Sequence, residues 1–167
     1  MADIERHTIA VLVDNEPGIL ARVVGLFSGR GYNIESLTVA EVERSNSLSR
    51  ITLVTSGTPM VIEQIKAQLS RLVPVRKVHD LTDEGPFVER ELALIKVAGT
   101  GERRIEALRL AEIFRARVVD STIESFIFEV TGSSEKLDAF IELVAPIGLV
   151  ELARTGIAAM SRGTVAL

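Results

Sequence analysis

The order in which strand-like and helix-like segments follow one another constrains this 167-residue chain most, because the same order occurs twice. His7 to Val13 is β-branched and apolar, the mark of a buried strand. Asn15-Glu16-Pro17-Gly18 breaks it and starts a helix, with Asn15 or Glu16 as N-cap and Pro17 near the first helical position. Ile19, Leu20, Val23, Val24 and Phe27 recur at helical spacing until Gly29-Arg30-Gly31 ends the run. Asn33 to Glu43 and Ser49 to Ser56 read as strands joined by the polar turn Arg44 to Ser47. Thr58 caps a second helix, Pro59 opens it, and Val61, Ile62, Ile65, Leu69 and Leu72 form its buried stripe. Pro74 to Leu81 supplies the last strand of the first pass.

Thr82-Asp83-Glu84-Gly85-Pro86 is short, charged and turn-rich, and a linker is expected over 82–87. The second pass repeats the order: a strand at Glu91 to Ala98, then a helix after Gly99-Thr100-Gly101 with Ile105, Leu108, Ala111 and Phe114 on one face. Strands at Arg117 to Ile123 and Phe126 to Thr131 follow. Ser133 or Ser134 then caps a helix carrying Leu137, Phe140, Ile141 and Val144, and Gly148 to Arg154 is the final strand. The tail from Gly156 to Leu167 has no assigned element. A βαββαβ unit of about 75 residues folds as a ferredoxin-like α+β sandwich, two helices on one face of a four-stranded antiparallel sheet. Two such domains in tandem are expected, at 1–81 and 88–167, each with an uncovered sheet face and open edge strands. Hydrophobic residues make up 47% of the chain and mean hydropathy is +0.29, with aromatics at only 4%. Such aliphatic surface points to burial against another chain.

Composition closes several functional classes. Without cysteine there is no disulfide, iron–sulfur cluster, thiolate zinc site or cysteine nucleophile. A net charge of −4 gives no electrostatic grip on nucleic acid, and Tyr32 is the only tyrosine for stacking bases on the sheet. Asp14 and Glu16 in the first loop would repel a phosphate dianion. The longest charge-free run, Ile51 to Ile62, spans twelve residues and contains Gly57 and Pro59, so no membrane crossing is expected. The apolar run Ile9 to Val13 is too short for a signal peptide, and a cytoplasmic protein is expected. Gly99-Thr100-Gly101 lacks the third glycine of a dinucleotide fingerprint, and no nucleophile elbow occurs. The carboxylate pairs Asp14/Glu16, Glu41/Glu43 and Glu89/Glu91 read as solvated loop and edge charges, and His7 and His79 as structural or surface histidines. Neither a catalytic residue nor a metal site is expected.

The turn from Asn15 to Leu20 is the informative place. A helix N-terminus offers unpaired N–H groups and positive dipole density, suited to one carboxylate. Gly18 would let a ligand approach the backbone closely. Asn33 offers both a donor and an acceptor, as an amino-acid zwitterion requires. Pro and Gly at such a turn, and Asn at the start of a strand, also occur without any ligand.

Asn15-Glu16-Pro17-Gly18-Ile19-Leu20, followed by Arg30 to Val39 (RGYNIESLTV), resembles the ACT domain of the acetolactate synthase small-subunit family. The resemblance extends through Ser49-Arg50, Gln64 to Val73, Val88 to Leu92, Arg154-Thr155-Gly156 and Ser161-Arg162-Gly163. It implies an N-terminal ACT domain for effector binding and dimerisation, and an ACT-like second domain. It further implies a non-catalytic regulatory subunit of branched-chain amino acid biosynthesis. Such a subunit binds and activates a catalytic large subunit that carries thiamine diphosphate, FAD and Mg²⁺, and it confers feedback inhibition by valine. ACT domains of two chains would pair, with Asn15, Gly18, Ile19 and Leu20 lining one side of the valine site and Asn33 and Ile34 of the second chain the other. A stand-alone tandem-ACT regulator of another pathway would share the loop but not the Val88–Leu92 and Arg154–Gly163 segments.

Overall fold

The structure is a computed structural model that describes residues 3–167. It contains two compact units, Met1–Val88 with Ile157–Leu167, and Glu89–Gly156. The last eleven residues, read from sequence as the end of the second domain, thus belong to the first unit.

The first unit is β1 (Glu5–Asp14), α1 (Ile19–Arg30), β2 (Ser36–Glu43), β3 (Leu48–Gly57), α2 (Pro59–Arg71) and β4 (Val75–Asp80). Its strands lie antiparallel in the order β2-β3-β1-β4, the ferredoxin-like arrangement. β1 and β3 pair over ten residues, from Glu5 opposite Gly57 to Asp14 opposite Leu48. Side chains alternate across the sheet, so Ile9, Val11 and Val13 share one face with Ile51 and Leu53. Ile19, Val23 and Phe27 of α1 and Ile62, Ile65 and Leu69 of α2 close over them. Thr58 caps α2 through its hydroxyl, which accepts from the Val61 amide at 3.4 Å.

The opposite face of this sheet was expected to be uncovered, and it is not. Ile157 and Ala159 are buried against Ala10, Val54 and Leu81. The Ile157 amide donates to Ser36 Oγ (2.8 Å), Thr38 Oγ1 donates to the Ile157 carbonyl (3.1 Å), and Arg50 donates to the Ala159 carbonyl (2.6 Å). Alternation explains the fit: in β9 (Ala158–Ser161), Ala159 turns inward while Met160 stays out.

The second unit repeats the order with β5 (Phe87–Ala98), α3 (Glu102–Ile113), β6 (Arg117–Ser121), β7 (Ser125–Gly132), α4 (Ser134–Gly148) and β8 (Leu149–Arg154), the strands running β6-β7-β5-β8. Ser133 is the N-cap of α4, its hydroxyl accepting from the Lys136 amide. Leu137, Phe140 and Val144 are buried as expected. The face expected for α3 holds at Ala111 and Phe114, which pack on the core, and is corrected at its other two positions. Ile105 and Leu108 are exposed, whereas Ala107, Leu110 and Ala111 are buried. Steps of three, as in 105, 108, 111 and 114, drift around a helix of 3.6 residues per turn; the buried set 107, 110, 111 keeps to one stripe.

Each unit also buries charge. In the second, Glu91 is 6% exposed, and Arg154 donates to both its carboxylate oxygens at 2.8 Å and to Asp138 at 2.6 Å. Glu91 is therefore a paired interior group and not the solvated edge charge expected from sequence. The Arg154 hydrogen bonds hold its pKa below the ordinary carboxylate value. In the first unit, His7 is 3% exposed, with Nδ1 at 2.8 Å from Asp80 and Nε2 at 3.2 Å from Glu5. Burial disfavours its charge, but the hydrogen bonds to Glu5 and Asp80 outweigh that and raise its pKa above 6.5.

Two outcomes follow. Arg154→Met leaves the Glu91 carboxylate buried without its partner, and should destabilise the second unit by about 3 kcal/mol. Hydrogen exchange of β5 and β8 amides reads this unit separately, and unchanged protection there would contradict the assignment. His7 binds its proton more tightly folded than unfolded, so its stabilisation is complete below about pH 6.5 and fades as pH rises through the elevated folded pKa. Melting of the wild-type chain at pH 6 to 9 should show that loss, and His7→Gln should flatten it.

Candidate functional site

β1 ends at Asp14, whose amide donates to the Pro74 carbonyl and whose carboxylate accepts from Arg76 at 2.7 Å. The chain then turns sharply: the Asn15 amide donates to Ser47 and the Glu16 amide back to Asp14. The N-cap of α1 is Gly18 (φ 83°, ψ 1°), not Asn15 or Glu16, and it supplies no side-chain cap. The amides of Asn15 and Glu16 are spent on this turn, and the helix begins at Ile19, after Pro17. The left-handed backbone here explains the glycine, since other residues adopt it only at a cost.

The result is an open helix N-terminus. A Cβ at Gly18 would meet nothing within 4 Å. The Ile19 amide donates to Glu16 and the Arg22 amide to Gly18, while no backbone carbonyl among the described residues accepts from the amides of Leu20 or Ala21. Two N–H groups therefore point out of a positive dipole end, as an anionic carboxylate requires. Ile19 turns into the core, 6% exposed, while Leu20 is 40% exposed beside the turn. Asn15 and Gly18 are exposed as well. Four of the expected site residues thus share one place, with Ile19 forming its floor.

Asn33 and Ile34 lie elsewhere in the same chain. They follow the C-terminal end of α1, where Gly31 caps the helix in a second left-handed conformation. Asn33 precedes β2 and does not open it as expected. Its carbonyl accepts from Thr55 Oγ1 at 2.7 Å, so a side chain takes the acceptor that a ladder would have used. Twelve residues of helix put roughly 18 Å between this segment and Gly18. The sheet agrees: Asn15 sits beside the Leu48 end of β3, and Glu35 beside Val54. One chain therefore does not bring the two groups of residues together.

Sequence reasoning missed a third cluster. His7, Asp80 and Asp83 place ligand-type atoms within 4.8 Å of one another. The Lys66 ammonium lies 3.5 Å from Asp80 and 3.3 Å from Asp83, so the cluster's negative charge already has its cation. These side chains come from β1, α2, β4 and the following turn, a meeting that local spacing does not reveal.

Residues 9–77 match the AHAS small subunit-like ACT domain family, and residues 90–163 the family described as small subunit of acetolactate synthase. A probable acetolactate synthase small subunit of Archaeoglobus fulgidus is 54% identical over 158 residues, covering 95% of this chain and 98% of that one. The acetolactate synthase isozyme 3 small subunit of Escherichia coli is 46% identical over 159 residues, 95% and 96% of the two chains. The crystal structure of the acetolactate synthase small subunit from Thermotoga maritima superposes with a TM-score of 0.85 at 43% identity, over 96% of this chain and 99% of that one. The two family matches together take in the Gly18 turn and most of both βαββαβ units, the relatives cover at least 95% of the chain, and the chain belongs to the acetolactate synthase small-subunit family.

Proposed function

We propose that this chain is the regulatory partner of an acetolactate synthase catalytic subunit and that it performs no chemistry itself. It raises the activity of the large subunit, where thiamine diphosphate, FAD and Mg²⁺ reside, and lowers that activity when valine binds. The observation carrying the effector reading is the open N-terminus of α1 at Gly18. The valine carboxylate accepts from the Leu20 and Ala21 amides, and the exposed Leu20 side chain packs on the isopropyl group. Asn33 and Ile34 of a second copy complete the site, since α1 keeps this chain's own pair roughly 18 Å away.

Pairing of two first units is supported by β2, an edge strand whose last five residues are all exposed and include Val39 and Val42. An unpaired edge strand with exposed valines beside Glu41 and Glu43 offers open backbone groups for association with another chain. The −4 charge suits a protein partner and an amino acid, with no nucleic acid involved.

Mixing the purified chain with its cognate large subunit should raise pyruvate consumption, and added valine should lower it again. Acetolactate formation by the small chain alone, or failure to stimulate, would contradict the proposal. Gly18→Asp should weaken valine binding by more than tenfold, about 1.4 kcal/mol, because the new carboxylate occupies the position of the ligand's own. The left-handed backbone at Gly18 (φ 83°) strains any side chain by about 1–2 kcal/mol although no atom within 4 Å would clash, so thermal melting first checks that the variant folds, and stimulation of the large subunit should then persist. Asn33→Ala deletes side-chain hydrogen bonds without adding charge and should cost about 1–3 kcal/mol in valine affinity. Wild-type calorimetric affinity in Gly18→Asp would place the ligand elsewhere.

A further inference from the structure

The face of the first sheet opposite α1 holds a feature that the effector reading does not use. A cavity of about 530 Å³ lies between that face and residues 160–167, with Arg50, His79, Leu81 and Glu84 on its wall. Its size is that of a small-metabolite site. Arg50 projects from β3 on the same face as Val54, since positions two apart along a strand share a side.

Arg50 differs from the solvated arginines of this chain in being partly buried on a cavity wall. Arg6, Arg76 and Arg154 each have a carboxylate partner. Arg50 has none among the described residues; its guanidinium donates to the neutral Ala159 carbonyl. A guanidinium carries five N–H donors, so most of its capacity remains. Partial burial without a counter-charge is costly, and accordingly burial lowers its pKa below the ordinary arginine value. Arg162, also on the cavity wall, has no carboxylate partner among the described residues either. The one acidic side chain on the wall, Glu84, is engaged by His79 Nδ1 at 2.7 Å. Two arginines from different elements thus face one cavity, and neither is paired with an acidic side chain among the described residues.

We propose that this cavity is a second ligand site, in which Arg50 and Arg162 together bind the carboxylate or phosphate group of a small anionic metabolite. A planar guanidinium pairs with either group through two parallel hydrogen bonds. Because one arginine stands on the sheet and the other on the terminal segment, the anion draws residues 157–167 against β3. Occupancy therefore stabilises the cover over Ala10 and Val54. The proposal does not depend on valine binding at Gly18, which lies on the α1 side of the sheet.

Calorimetry on the full chain tests it, with inorganic phosphate and acetate as separate probes and chloride holding ionic strength constant. At least one probe should bind saturably with a Kd of about 1 mM or tighter, and should slow hydrogen exchange of the Ala158–Ser161 amides. Saturation by phosphate alone assigns a phosphate-bearing ligand, and by acetate alone a carboxylate. Arg50→Met should weaken binding at least tenfold, and so should Arg162→Gln, whose exposed position leaves the fold intact if Arg50→Met does not fold. The loss in Arg50→Met and Arg162→Gln separates this site from the Gly18 turn, which contains neither arginine. Absence of saturable binding by both probes, or wild-type affinity in Arg162→Gln, would overturn the proposal.

Discussion

β1 lies between β3 and β4 and has to bury both its faces, and the form of the first unit follows from that requirement. Its ten-residue ladder with β3 satisfies the backbone polar groups, but each face of the strand remains apolar and needs cover. Ile9, Val11 and Val13 receive it from α1 and α2; Ala10 receives it from Ile157 and Ala159. The small Ala10 side chain leaves room for a strand instead of a helix on that side. Burial of side chains of this kind contributes about 25 cal/mol per Å², so an uncovered β1 would forfeit several kcal/mol. The terminal segment is thus structural to the first unit although it follows the second in sequence.

The same strand sets the geometry of the turn at Gly18. β1 stops at Asp14, where the amide and carboxylate are taken by Pro74 and Arg76, and the chain has four residues in which to reverse into α1. Gly18 achieves this by adopting a left-handed conformation, which leaves the helix without a side-chain cap. The open amides of Leu20 and Ala21 are a consequence of that tight turn. The proposed effector site uses this economically: the donors are fixed by a packed helix, and a ligand carboxylate would take the place that a capping residue would have filled.

Much of this was legible in the sequence, and the reasons differ by residue. The βαββαβ order was readable because periodicity and caps are local; Thr58 and Ser133 sit where their helices begin. The family was readable from Asn15 to Leu20 and Arg30 to Val39, and the residues of the turn do stand together. The burial of Glu91 was not readable, because its partner Arg154 is 63 positions away. The His7 cluster and the packing of Ile157 share this property: both depend on which elements the fold brings together. The α3 face was misread for a local reason, since Ile105 and Leu108 are apolar yet stand off the buried stripe of Ala107, Leu110 and Ala111. An apolar face left in water at that helix adds to the exposed Val39 and Val42 of β2, in keeping with a chain that works in an assembly.

The central proposal is that one valine site takes Gly18 from one chain and Asn33 from another. Mixing Gly18→Asp chains with Asn33→Ala chains, allowing exchange and titrating valine by calorimetry examines it most directly. In a mixed dimer built across chains, both lesions fall in one site and the other is intact. Random assortment should then restore wild-type affinity to about a quarter of all sites, although neither variant alone has any. No wild-type-affinity sites in the exchanged mixture would mean that each site draws on a single chain, and would contradict the proposal.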